Sequence, residues 1–354
     1  MIARIGCLVS VVLLSMSLAS HLAAQGFAGL GTRADGFLEP RADYRFSFPK
    51  DHGAHPDYRI EWWYLTANLK DETGTVYGIQ WTLFRTALAP GDVVGWQSPQ
   101  IWMGHAALTS ARDHFSAERL ARGGIGQAGL QTDPFEAWID HWSMTGDPEL
   151  ENIEVSAKAE DFGYALSGKA SSDLVLHGAD GYSVKSASGQ ASYYYSQPDY
   201  EITGTLTLPS GPVSVEGMGW LDRELSSQPL SEDQSGWDWF SLRFDSGDKL
   251  MGFILRGRNN APDFRSGTWI SANGAVTALT PGAFQALPVE TAMVKGRRIP
   301  VKWQVMLADR DLSVTVEALN PQSWMDTSFA YWEGPVTVSG SHTGTGYLEM
   351  TGYE

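Results

Sequence analysis

In GMGWLDRE, Gly217 to Glu224, a carboxyl stands two residues after an indole, Asp222 after Trp220, within a strand-like run. Side chains two apart on a strand share a face, so these two point the same way, and Arg223 and Glu224 cannot both join them. Desolvation among aromatic rings disfavours a charged carboxylate and raises its pKa, which makes such an acid able to protonate a substrate near neutral pH. A plainer use is also open: Asp222 and Glu224 paired with arginines at a strand end, with Trp220 filling the core.

Another acid, Glu61, precedes Trp62 and Trp63, and Asp238 precedes Trp239 and Phe240 in the same manner. Each triplet opens a strand that turns and returns to an arginine, Arg85 or Arg256. A repeated structural ion pair is expected, with Glu61 beside a ligand as the alternative. Trp62, Trp63 and Trp239 offer ring faces to a bound molecule. His105, in WMGHAALT, is either a proton donor or a hydrogen-bonded core histidine. His177, beside the turn in LVLHGADG, reads as a polar turn residue.

Hydrolytic machinery is not visible, because no G-x-S-x-G occurs and the single cysteine is Cys7. His52 and His55 lie near Asp51 and Asp57, but without H-E-x-x-H or a distal ligand pair they read as a solvated loop, and no metal is expected. The glycines of ARGGIGQAG lack the G-K-[ST] of a phosphate loop, and no cofactor is expected.

Positioning these groups falls to strands. The 354-residue chain carries 38 glycines and 17 prolines among short alternating runs of β-branched and aromatic residues, the pattern of strands and turns. RIEWWYLTANLKDETGTVYGIQWTLFRT reads as a hairpin turning at Asp71 to Gly74, and DWFSLRFDSGDKLMGFILRG as one turning at Asp245 to Asp248. A short helix is expected in DPFEAWIDHWS, with Asp133 as N-cap and Pro134 in the first turn. Tyr195, Gly204 and the G-x-G-W-L-D ending at Asp222 are echoed by Tyr331, Gly340 and the G-x-G-Y-L-E ending at Glu349. A diverged duplication follows, joined through SSQPLSEDQSG. The expected fold class is all-β, with two tandem antiparallel barrels over residues 26–226 and 227–354, each able to enclose one apolar ligand.

The net charge of −16 repels nucleic-acid backbones and anionic membranes, so the expected partner is a lipophilic small molecule and not nucleic acid. Residues 1–25 have the form of a secretory signal peptide: Arg4, an apolar run from Ile5 to about Leu18, and small residues before a cleavage near Ala24 or Gln25. Cys7 falls inside it, so the mature chain is expected in the periplasm without disulfides. No later run of about 18 apolar residues predicts a transmembrane span.

HPDYRIEWWYLTANL, GHAALTS, ARGGIGQAG, DPFEAWIDHWS, LVLHGADGYSVK, ASYYYSQP, GMGWLDRE, WDWFSLRF and GYLEMTGY resemble the AttH-like, lipocalin-like proteins related to carotenoid 1,2-hydratase (hydroxyneurosporene synthase). The resemblance implies two lipocalin-like barrels. In the carotenoid hydratases a His-x-Trp pair and a Tyr-x-Asp pair are thought to matter. By position, Tyr193 and Tyr195 stand at the first pair and Trp220 and Asp222 at the second, with Asp222 alone identical. The activity implied is hydration of a carbon–carbon double bond in an apolar, isoprenoid-like substrate. Asp222 would be the acid, with the faces of Trp62, Trp63, Tyr193, Tyr195 and Trp239 near the cation formed. Two other uses stay open: carriage of a lipophilic ligand without chemistry, and hydrolysis, a label many secreted members carry.

Overall fold

The computed structural model describes residues 34–353. The signal-peptide reading of residues 1–25, with Cys7, lies outside the described residues. Twenty-three strands, β1 (Ile60–Asp71) to β23 (Gly344–Met350), form two curled antiparallel sheets of thirteen and ten strands. The fold is all-β and lipocalin-like.

The duplication seen in the sequence has a counterpart in strand order. The first sheet contains β2 (Val76–Ala87), β1, β13 (Gly211–Ser226), β12 (Ala191–Leu208), β9 (Gly163–Ala170) and β8 (Asn152–Lys158) as successive neighbours. The second repeats the arrangement with β15 (Lys249–Gly257), β14 (Gln234–Phe244), β23, β22 (Tyr331–Gly340), β20 (Leu312–Ala318) and β19 (Arg297–Leu307). The chain passes from one sheet to the other between Ser226 and Gln234.

The helix expected in DPFEAWIDHWS is instead a hairpin of β6 (Phe135–Ile139) and β7 (Trp142–Gly146). Phe135, Ala137 and Ile139 are all buried, so period-two burial outweighs the local capping signal. Helical turns among the described residues are three short 3-10 segments, Lys50–His52, Gly95–Gln97 and Ala308–Arg310.

Alternation divides the central strands between two buried faces. On β1, Trp63, Leu65, Ala67 and Leu69 point into the first curled sheet, where they meet Trp81, Leu83 and Trp142. Phe240, Leu242, Trp303 and Trp332 fill the second sheet in the same way. The other face of these strands, carrying Ile60, Tyr64, Trp220, Trp239 and Tyr347, forms a third apolar layer where the sheets press together.

Glu61 anchors one end of the first sheet. It is fully buried and ion-paired to both Arg85 and Arg223, and it accepts the His55 amide at 2.8 Å. Burial by itself would raise the Glu61 carboxyl, but the Arg223 and Arg85 guanidiniums outweigh it and hold the group well below the usual range. Arg85 also donates to the Tyr58 carbonyl at 2.7 Å, and Arg223 lies 3.9 Å from the centroid of the Trp63 ring. The second copy carries a related pair, Asp238 with Arg256, its acid two positions further along the strand than Glu61, and the Tyr353 hydroxyl adds a 2.9 Å hydrogen bond to Asp238. Removing one partner strands buried charge, so Glu61→Gln is expected to cost about 3–5 kcal/mol in urea denaturation. A cost below about 1 kcal/mol, the level of a surface pair, would contradict this account.

Candidate active site

A cavity of about 750 Å³ lies between the two sheets, within the usual size for a small-molecule site. Its wall takes Trp62 and Tyr64 from β1, Phe84 from β2, Asp222 and Glu224 from β13, Trp237 and Trp239 from β14, Tyr331 from β22 and Glu349 from β23. These side chains stand on the outward faces of the sheets. The expectation of a ligand inside a barrel is corrected accordingly: the inward faces are filled by large side chains such as Trp63, Trp81 and Trp332, all fully buried.

Asp222 sits in this wall, 3% exposed, with neutral donors around it. Trp220 donates its indole N–H to Oδ1 at 2.7 Å, the Ser196 hydroxyl donates to the same oxygen, and the Tyr194 hydroxyl donates to Oδ2 at 2.5 Å. Burial pushes the Asp222 carboxyl up to about 7; the three hydrogen bonds oppose the rise and the nearby Glu224 carboxylate adds to it. Glu349 is its counterpart in the second sheet. Burial lifts that carboxyl to about 7 as well, against a hydrogen bond from the Trp237 indole and with added repulsion from Asp222 and Glu224. Glu224 is paired with Lys185 at 2.8 Å, whereas neither Asp222 nor Glu349 has an ion-pair partner among the described residues. Two carboxyls with raised proton affinity thus face one apolar cavity.

Strand register explains which candidates gather here. Ser196 lies directly across from Asp222, and Tyr194 across from Glu224, so these residues share the cavity side of the sheet. Tyr193 and Tyr195, of opposite parity, do not reach Asp222. Tyr193 stacks on Tyr44 at 4.2 Å between ring centroids and its hydroxyl accepts the Arg41 amide, while Tyr195 bonds the His52 ring at 2.6 Å. Trp63 lies inside the first sheet and donates to the His52 carbonyl at 2.9 Å, and Glu61 belongs to the ion pair described above. Trp62, Trp220, Trp239, His105 and Asp222 are brought to the same layer.

His177 is no turn residue in the structure. It is fully buried, with Nε2 2.6 Å from Ser196 Oγ and Nδ1 2.9 Å from Thr268 Oγ1 across the sheet boundary. Because the Ser196 hydroxyl donates to Asp222, His177 must donate to Ser196 through Nε2–H. Burial, helped by Lys185, holds this neutral form by lowering the imidazole to about 3. No periodic signal marked it, since its partners come from strands distant in sequence. His55 bridges Asp51 and Glu61 at 3.3 Å each, and no group of three or more metal-ligating side chains assembles among the described residues.

The two sheets contribute to the cavity in a quasi-equivalent way. Tyr64 pairs across the ladder with Asp222, and Trp239 with Glu349; Ser196 faces Asp222 as Glu333 faces Glu349. Hydrogen bonds then cross reciprocally: Tyr64 of the first sheet donates to Glu333 of the second at 2.6 Å, and Trp239 of the second donates to Tyr194 of the first at 3.0 Å.

A model of AttH-like proteins matches residues 39–353. The chain belongs to the AttH-like family. A solved structure assigned to AttH from Nitrosomonas europaea is 31% identical, with a TM-score of 0.81 over 90% of this chain and 100% of that one. Kievitone hydratase from Nectria haematococca shares the fold at 14% identity, with a TM-score of 0.65 over 89% of this chain and 98% of that one. CghA in complex with Sch210972 shares it at 12% identity, with a TM-score of 0.55 over 90% and 97%. No curated protein matches the sequence.

The raised carboxyls predict a pH signature. A carboxyl that binds its proton more tightly when folded adds stability below its unfolded pKa and loses it as pH rises through the folded value. Asp222 and Glu349, lifted from 3.8 and 4.5 to about 7, therefore lower stability as pH climbs through that window. Asp222→Asn is expected to flatten this slope, read as melting temperature against pH. A profile identical to that of the natural chain would contradict the raised Asp222 pKa.

Proposed function

We propose that this chain is a secreted enzyme that hydrates a carbon–carbon double bond of an apolar, isoprenoid-like molecule, with Asp222 as general acid. The observation that carries the reading is the pair of carboxyls Asp222, buried, and Glu349, half-buried, neither with a cation partner among the described residues, facing one cavity lined by tryptophan and tyrosine rings. With both carboxyls lifted to about 7, the form with Asp222 protonated and Glu349 ionised is accessible near neutral pH.

The steps balance with groups in the wall. The Asp222 O–H bond breaks as its proton forms a C–H bond with the alkene carbon, and the neighbouring carbon becomes cationic. Trp62, Trp237 and Trp239 offer ring faces to that charge. A water oxygen then bonds to the cation and releases a proton to the Glu349 carboxylate. Ser196, Tyr194 and Trp220, as donors to Asp222, stabilise the carboxylate left behind. The fold shared with kievitone hydratase supports the same class of chemistry by analogy.

Hydrolysis is less well supported, because no serine or cysteine stands among the described residues that line the cavity, and Ser196, a buried serine beside a histidine, donates to a carboxylate instead. Purified protein and its Asp222→Asn variant incubated with an extract of apolar lipids and isoprenoids test the proposal by mass spectrometry. The expected result is a product heavier by one water with the natural chain alone, its formation reduced at least about 100-fold in the variant. Unaltered ligand recovered from both proteins would overturn the proposal in favour of a carrier.

A further inference from the structure

Asp222 is buried and Glu349 half-buried, and a bound apolar ligand would shield both, yet the proposed chemistry deposits a proton on Glu349 at each turnover. Behind Glu349, directly across the ladder, stands Glu333, 1% exposed and absent from the cavity wall. Its Oε1 accepts the Tyr64 hydroxyl at 2.6 Å, while Oε2 has no hydrogen-bond partner; Tyr331, two residues earlier on β22, stands on the same face of the strand. Burial and the adjoining Glu349 push this carboxyl well above the usual range, with the Tyr64 and Tyr331 hydroxyls close enough to oppose the rise.

From Glu333 a line of polar atoms leads outward. The Tyr331 hydroxyl lies 2.9 Å from Nδ1 of His105, whose ring stacks on Tyr331 with centroids 5.6 Å apart. Nε2 of His105 lies 3.1 Å from Oε1 of Glu118, on the neighbouring strand β4 (His114–Arg122). His105 is 1% exposed, whereas the Glu118 side chain is 20% exposed and so reaches solvent. The Ser328 amide and hydroxyl, at 3.1 and 2.7 Å, hold Glu118 in place. Hydrogen bonding to His105 keeps Glu118 below the usual carboxylate range and burial keeps His105 neutral, so Nε2 donates to Glu118 and Nδ1 accepts from Tyr331.

We propose that Glu333, Tyr331, His105 and Glu118 form a proton-exchange path between Glu349, which Glu333 backs, and the protein surface. In the outward step the unpartnered Glu333 Oε2–H turns to the Tyr331 hydroxyl and passes its proton to that oxygen, the Tyr331 proton passes to His105 Nδ1, and the His105 Nε2 proton to Glu118. Three bonds to hydrogen break and three form, and one proton emerges at the surface. Inward transfer reverses each step. Tyr331 and His105 also touch the cavity, whereas Glu118 acts through them. The assignment rests on the acid–base reading of the cavity, but its test needs no substrate.

The full chain without ligand is moved into heavy water and the C=O stretch of protonated carboxyls is followed by infrared spectroscopy, with Glu333→Gln identifying the Glu333 band. Deuteration of that band is expected to slow at least about tenfold in Tyr331→Phe and in His105→Phe, because exchange must then await local opening. The Asp222 band serves as the internal control, and its rate should be unchanged. Equal Glu333 rates in the natural chain and in Tyr331→Phe, which keeps the ring and loses only the hydroxyl, would overturn the path. Slowing of both bands together would overturn it too, by showing a general effect on packing. A failed path would leave the hydration assay standing, and a failed hydration assay would leave the exchange rates as measured.

Discussion

Everything about the site depends on the burial of both faces of the central strands. In a lone curled sheet the outward face meets water, and its carboxylates would stay charged at little cost. Here the outward faces of β1, β13, β14 and β23 meet one another, so Asp222, Glu349 and Glu333 occupy an apolar layer. Their raised proton affinities follow from that contact and not from any property of either sheet by itself.

The same constraint separates the structural acids from the chemical ones. Glu61 and Asp238 are as buried as Asp222, but each is ion-paired: two guanidiniums hold Glu61 well below the usual range, while at Asp238 the single Arg256 opposes a rise that burial still wins. Asp222 and Glu349 have only neutral donors, so desolvation is left unopposed by full charge. Parity decides the outcome: Glu61 and Arg223 share one side of the first sheet, whereas Asp222 and Glu224 share the other. A one-residue shift exchanges the two environments.

Duplication gives the cavity its two-fold character and also its asymmetry. The positions of Asp222 and Glu349 correspond, as do those of Tyr194 and Tyr331, the bulge between Gln197 and Tyr200 moving the match one residue from the Tyr195 expected from the sequence; the crossing hydrogen bonds have corresponding donors, Tyr64 and Trp239, but unlike acceptors, Glu333 and Tyr194. At one pair of positions the copies have diverged, with Ser196 across from Asp222 and Glu333 across from Glu349. The first copy therefore holds its acid by hydroxyl donors backed by His177, and the second backs its acid with another acid.

Much of this was legible in the residues. Alternation and turn residues determine the strands, the repeated G-x-G-aromatic-Leu-acid run determines the duplication, and spacing alone puts Trp220 and Asp222 on one face. Where a local capping signal competed with period-two burial, in DPFEAWIDHWS, the tertiary contacts of Phe135, Ala137 and Ile139 prevailed. The sequence by itself determined the all-β fold, the repeat and the position of one acid, because these are set by neighbours along the chain. Only the tertiary structure decided that the cavity lies between the sheets, that Tyr194 and Ser196 rather than Tyr193 and Tyr195 hold Asp222, and that His177, Glu333 and Glu349 belong to its surroundings. Those relations depend on strand register, which sets Ser196 and Tyr194 against Asp222 from 26 and 28 positions away, and on contact between two sheets, which joins Tyr64 and Glu333 across 269.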